Sequence, residues 1–299
     1  MSFDQEETRI TSEEATYDLE KAYKMTGGFG TAQKIAFVCL MVTRNMGLAY
    51  MYVFSLLILE QPYECRTEQG DFRACFKQEI CANQQNPTFE YQLDRSYAFT
   101  LENWFTQLNW ICTPTYSIDL IATLFFIGLG AGAFLISWLP EKIGRKPTLL
   151  LTGAILTPCH FALLYWPNTN VKIVCYGVMG FLYIGKTVCL NLMYELSEKK
   201  HTPLICNIFH VWDWGSAGLM CISMWVCRSW VPLFTVYTWF GAICLLVYSV
   251  FLPESPKFLL MTGEKTKAID ALNQLARING SLIRFNYMDS FVEEEGVKI

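Results

Sequence analysis

Long apolar runs alternate with short polar ones along most of the chain, and six of the runs are long enough to cross a bilayer as helices. These spans are expected over residues 35–59, 117–139, 148–166, 171–194, 205–227 and 230–252. Residues 1–34 form a polar N-terminal tail, 60–116 a long polar and aromatic loop, and 253–299 a tail that opens with an amphipathic segment. In that segment Ala268, Ile269, Leu272, Leu275 and Ala276 share one helical face and Asn279-Gly280 reads as a helix end, so a surface helix is expected over 264–279. Between the second and third spans lies only Ser137–Pro147, SWLPEKIGRKP, which forces the two to be antiparallel neighbours. Short loops rich in Lys and Arg stay on the cytoplasmic or matrix side, and Lys142, Arg145 and Lys146 mark this one. Both termini are then expected on that inner face and the 60–116 loop on the opposite one.

Composition sharpens the class. With 53% hydrophobic, 15% aromatic and only 17% charged residues, the 299-residue chain is too apolar for an ordinary soluble domain. The net charge of -4 collects in the tails and one loop and gives no sign of nucleic-acid binding. The acidic start, MSFDQEETRITSEEATYDLE, is neither a secretory signal nor an Arg-rich presequence. Cys65, Cys75, Cys81 and Cys112 are the cysteines of the 60–116 loop, and four cysteines allow three pairings. They read as two disulfides in an oxidising compartment, or as reduced thiols packed among Phe72, Phe76, Trp104 and Trp110. In the same loop Asn86 precedes Pro87, which disables a glycosylation site. Trp138, Trp166, Trp225 and Trp230 fall near expected membrane interfaces.

No catalytic constellation is legible: His160, His201 and His210 are scattered, and neither metal-ligand spacing nor a cofactor motif is present. An enzyme is not expected. Charges at membrane depth are costly and need a reason. Arg44 lies about nine residues into the first span, Lys186 about eight from the inner end of the fourth, and Asp213 about eight into the fifth. At about 1.5 Å per residue all three sit roughly 12 Å from the inner face. The expected cluster is either a buried structural triad or a substrate site, and His210, one turn before Asp213, is a candidate fourth member. Two cations against one acid leave a surplus charge, expected to meet anionic lipid, a carboxylate of a neighbouring subunit, or an anionic or zwitterionic substrate.

Three stretches carry a family resemblance. Glu141, Gly144, Arg145 and Lys146 resemble the loop between helices 2 and 3 of the major facilitator superfamily, G-x-L-a-D-r-x-G-R-k, with Glu141 in place of the Asp. Pro253, Glu254, Ser255 and Pro256, followed by Leu259, Leu260 and Gly263, resemble the P-E-S-P-R-W-L-L-x-x-G segment after helix 6 of sugar and organic cation transporters. Gly27, Gly28, Phe29, Gly30 and Gln33 are similar to the entry into helix 1 of organic cation and carnitine transporters, and Gln61 to Cys65 to its exit. The resemblance implies an all-α membrane fold of six transmembrane helices, the N-terminal half of the major facilitator fold, with the cysteine-containing loop between helices 1 and 2.

Departures from the family bear on function. Where helix 4 of these transporters carries R-x-x-x-G, aligning on Gly180 places Tyr176 at the Arg, and in ELSEKKHT Thr202 replaces another Arg of the switching relay. The family would continue into six more spans. These differences predict a repurposed half-transporter serving as a structural subunit of a larger membrane complex, with a mitochondrial inner-membrane assembly expected from the lack of a usable sequon in the 60–116 loop. The alternative is a working transporter of organic ions, in the plasma membrane, formed with a second six-helix bundle.

Overall fold

The computed structural model describes residues 16–67 and 69–292, so the outermost parts of both expected tails, 1–15 and 293–299, lie outside the described residues. In chain order the face that carries α1 and α14, the expected inner one, opens with β1 (Thr16–Asp18) and α1 (Leu19–Met25), followed by α2 (Thr31–Tyr52) and the short α3 (Phe54–Leu57). The loop after it holds β2 (Tyr63–Arg66), β3 (Phe72–Cys75), α4 (Lys77–Ala82), β4 (Tyr91–Leu93) and α5 (Trp104–Gln107). Then come α6 (Thr115–Leu135), α7 (Leu139–Ile143), α8 (Arg145–Tyr165), α9 (Thr169–Phe181), α10 (Ile184–Glu195), α11 (Thr202–Cys227) and α12 (Val231–Phe251). The inner face closes with α13 (Pro256–Met261), α14 (Lys265–Ile278) and β5 (Ser290–Val292). β1 and β5 pair in parallel, Tyr17 opposite Phe291.

Among the described residues five segments are long and apolar enough to cross a membrane: α2, α6, α8, α9 with α10, and α12. At 26 residues α11 has the length of a sixth, but His210, Trp212, Asp213 and Trp214 make its middle more polar. The architecture is an all-α membrane fold.

Glycine sets the tightest seam. A Cβ built on Gly132 of α6 would lie 2.0 Å from the Phe181 carbonyl oxygen, and one on Gly180 of α9 would lie 2.0 Å from that of Phe125. The two helices therefore cross at backbone contact, as small residues permit in membranes. The fourth span, expected as one helix over 171–194, is interrupted at Leu182 and Tyr183, between Gly180 and Gly185. Gly185 is itself packed against Thr152, with a built Cβ 2.5 Å from Oγ1.

Two apolar clusters fill the bundle. The inner one joins Tyr23, Leu40, Leu192, Phe209, Tyr248, Leu272 and Leu275, and the outer one joins Tyr50, Trp104, Phe125, Tyr176, Trp230 and Phe234. On α2 the inner cluster ends at Val42 and the outer begins at Ala49; on α11 the corresponding limits are Phe209 and Met220. Between them runs a belt with buried polar side chains, among them Asn45, Thr152, Lys186, Asp213, Ser216 and Thr238.

The outer loop is a docked cap. β3-β2-β4 form a small antiparallel sheet, and disulfides join Cys65 to Cys75 and Cys81 to Cys112. Asn103 ties the cap to the end of the first span, donating from Nδ2 to the carbonyls of Leu56 and Leu59 at 2.9 Å each. Trp104 is fully buried, with its indole 5.7 Å from that of Trp230. Trp230, at the start of α12, therefore does not face the surroundings. The cap covers it, whereas Trp138, Trp166 and Trp225 stay exposed.

The inner face is equally tied together. Asn279 accepts from Ala32 N–H at 2.7 Å and donates to Thr26 O at 2.9 Å and Gln33 Oε1 at 3.0 Å. The glycine-rich entry wraps around this side chain, since a Cβ on Gly30 would meet it at 2.5 Å. Residues 16–34, read as part of a polar tail, thus carry ordered structure held by the end of α14. On α14 itself Ala268, Ile269, Leu272, Leu275 and Ala276 are all buried.

Candidate functional site

The polar belt gathers three of the four charged residues expected at membrane depth. Arg44 of α2 donates from Nε to Asp213 Oδ2 of α11 at 3.0 Å, with side-chain exposures of 13% and 4%. Its Nη1 donates to the Lys186 carbonyl at 3.3 Å, so one guanidinium links α2, α10 and α11. One residue along, Asn45 donates to Ser216 Oγ at 2.7 Å, and Ser216 donates to Asp213 O at 2.8 Å. These contacts sew α2 to α11 through polar atoms alone. Asp213 Oδ1 has no hydrogen-bond partner among the described residues.

The Lys186 side chain turns inward instead of toward Asp213. Its ammonium lies against the α2 backbone at Gly47, where a built Cβ would stand 1.3 Å from Nζ and 3.1 Å from His160 Nε2. His160 is fully buried and donates Nδ1–H to Leu156 O at 2.6 Å. That bond leaves Nε2 as a lone-pair acceptor on the side of the ammonium, the arrangement that best tolerates a buried cation beside an imidazole. Lys186 is thus stored between helices, while Arg44 and Asp213 make the direct pair.

His210 does not join them, which corrects the expectation. Three residues fall about 60° short of a full helical turn. The ring is accordingly on the exposed side of α11, with Nδ1 2.8 Å from the Cys206 carbonyl. Beside the pair stand two aromatic rings, Tyr52 and Trp214, 5.2 Å apart.

On the inner face the two family motifs meet. α8 begins at Arg145, so its first N–H groups have no helical partner. The Glu254 carboxylate accepts from Lys146 N–H at 3.0 Å and from Ser255 N–H at 2.8 Å, an acid placed at the positive end of a helix. Ser255 caps α13 by accepting from Phe258 N–H at 3.1 Å, and Pro256 occupies its first turn. Each letter of Pro253-Glu254-Ser255-Pro256 after the first therefore has a local physical task. Arg145 pairs with Glu195 Oε1 at 3.3 Å, and its guanidinium sits 5.1 Å over the Phe258 ring. Burial raises the Glu254 carboxyl above its ordinary value, opposed by the N–H groups of Ser255, Lys146 and Arg145. Glu141 is exposed on α7.

Tyr176, at the position where the resemblance places an Arg, lies in the outer aromatic cluster and donates to Tyr50 O at 2.9 Å. It stands across the belt from Arg145. A buried cation that sequence reasoning passed over is Lys172, whose ammonium donates to Leu163 O and lies 4.8 Å over Trp104 and 5.5 Å over Trp230. Nothing at the start of the fourth span marks it, because the rings that cover it come from the cap (Trp104) and from the start of α12 (Trp230). Among the described residues there is no cluster of His, Cys, Asp and Glu able to hold a metal ion.

The chain is thus a bundle of membrane helices with a buried ion pair and these two motifs brought together at one end. The family described as "Sugar (and other) transporter" matches residues 78–294, and the chain belongs to it. Among relatives, mouse solute carrier family 22 member 4 is 25% identical over 238 residues, covering 79% of this chain and 40% of that protein. Human organic cation/carnitine transporter 2 is 25% identical over 186 residues, 62% of this chain and 33% of its own length. Organic cation/carnitine transporter 4 of Arabidopsis thaliana is 29% identical over 173 residues, 57% of this chain and 33% of the relative. The alignments thus span 33% to 40% of each of these relatives.

Proposed function

We propose that this chain forms one wall of a transmembrane path for small organic ions and that the path runs past Arg44 and Asp213. The observation that carries the reading is the 3.0 Å pair between two membrane helices in a member of a transporter family. Charges at such depth are costly, and buried pairs can often be replaced by apolar residues without loss of stability. Their presence is better explained by a ligand than by packing. Arg44 keeps 13% exposure beside Asp213, so the path offers both a cation and an acid, which favours a substrate bearing a carboxylate together with a positive charge; Lys186, held between helices, stands apart from it. A zwitterion such as carnitine, named in two of the relatives, satisfies that better than a simple cation.

The exposed side of α11, with Val211, Trp214, Ile222 and Trp225, is the face offered to a second six-helix bundle. The cap disulfides favour an oxidising compartment on their side, hence the cytoplasm on the side of α1 and α14. A plasma-membrane setting follows more naturally than the mitochondrial one expected from the lack of a usable sequon in the cap. The relatives named above are transporters, which favours this reading over the purely structural subunit expected from Tyr176 and Thr202.

The test is uptake of radiolabelled carnitine and of tetraethylammonium by cells expressing the full chain, with surface amount measured in parallel. Carnitine uptake above control, exceeding that of tetraethylammonium, is the expected result. Surface-expressed chain with uptake of neither would return the protein to a structural role.

A further inference from the structure

A groove of about 460 Å³ opens at the inner ends of two membrane helices, away from the ion pair. Its walls are Ile35 in the first turn of α2 and Val247, Val250 and Phe251 at the end of α12. Its rim is polar and comes from α14: Gln274 donates to the Phe251 carbonyl at 3.0 Å, and Arg277 stands beside it. The volume falls in the range of small-molecule sites. The apolar walls continue onto the exposed faces of helices long enough to cross a membrane, so what enters from that side is hydrocarbon.

The rim carries charge that is unmatched among the described residues. Arg277 is exposed and, among the described residues, forms no ion pair; the same holds for Lys34, next to Ile35. No carboxylate lines the groove. Two acids of the α14 region are engaged elsewhere, Glu264 with Lys267 at 2.9 Å and Asp270 with the Tyr287 hydroxyl at 2.8 Å. Apolar walls below Arg277, with Lys34 one residue from the wall residue Ile35, match a molecule with hydrocarbon below and an anionic phosphate above.

We propose that this groove is a binding site for one acidic phospholipid, its acyl chain between α2 and α12 and its phosphate against Arg277 and Lys34. The lipid bridges the bundle and α14, and the site does not depend on the substrate path.

The full chain, reconstituted in phosphatidylcholine nanodiscs with and without phosphatidylserine, provides the test. A phosphatidylserine with a photoactivatable acyl chain should label peptides containing Ile35, Val250 or Ile278 in preference to its phosphatidylcholine counterpart. Arg277→Gln should cut that preference about fivefold, as expected for one basic residue near an anionic surface, and Val250→Trp should remove the labelling while leaving thermal stability in phosphatidylcholine unchanged. Equal labelling by the two lipids, labelling confined to other peptides, or an undiminished preference in Arg277→Gln would each overturn the proposal. Competition by water-soluble glycerophosphoserine as strong as by the whole lipid would overturn it too, since the acyl chain would then contribute nothing.

Discussion

Arg44 and Asp213 meet at 3.0 Å although 169 residues separate them, and their contact joins the first membrane helix to the fifth. Removing one partner of a buried pair strands the other, at a cost of about 3–5 kcal/mol when both are fully desolvated. Arg44 keeps 13% exposure, so Asp213→Asn should cost about 3 kcal/mol, and the double variant Arg44→Gln/Asp213→Asn less than the sum of the singles. Thermal unfolding of the purified variants in one detergent measures both quantities. Additive losses would mean that the pair is not coupled.

The seam between α6 and α9 gives a sharper stability test. Gly132→Ala places a methyl 2.0 Å from a backbone carbonyl, and backbone cannot step aside as a side chain can. A loss of about 2 kcal/mol or more is expected. Gly130→Ala, which meets nothing within 4 Å, should be neutral or slightly stabilising.

Much of this was legible in the sequence and some was not, for physical reasons. Periodicity and apolar length report where helices lie, and the surface helix over 264–279 was readable because five apolar residues repeat at helical spacing. Depth counting brought Arg44, Lys186 and Asp213 to one level, because rise per residue is nearly constant. Direction around the helix is harder to read. His210 is adjacent in depth but rotated outward, and Lys186 turns under α2 because Gly47 leaves room there, a feature that no single-helix pattern encodes. Trp230 reads from the sequence as an interface residue and Lys172 carries no signal, since nothing local announces that the distant 60–116 loop folds over them. The role of Asn279 likewise needs both ends of the inner face in view.

Glu254 should give the inner face a pH response. Its carboxyl is raised in the fold by burial from an ordinary value of 4.5. A group raised in this way contributes fully below its unfolded value and loses that contribution as pH climbs through the raised one. Glu254→Gln stays neutral throughout. Its melting temperature should therefore rise relative to wild type as pH goes from about 4 to about 7. A difference that stays constant over that range would show that Glu254 does not titrate with a raised value.

The two cap disulfides should differ in worth. Cys81–Cys112 closes a separation of 31 residues and Cys65–Cys75 one of 10. On loop-closure entropy, opening the former as Cys81→Ser/Cys112→Ser should cost about 1 kcal/mol more than opening the latter. Protease resistance of the cap, measured for each double variant, reports the order. The reverse order would mean that packing around Cys65, rather than chain entropy, dominates.

The most direct measurement of the central claim is carnitine uptake by Asp213→Asn and by the conservative Asp213→Glu, each normalised to the amount at the cell surface. If the substrate path runs past the ion pair, Asp213→Asn should lose at least about tenfold, the loss of one charge-assisted contact in a dry site, and Asp213→Glu should recover part of it. Uptake per surface molecule equal to wild type in Asp213→Asn would contradict the account and leave the Arg44 pair a structural feature of the bundle.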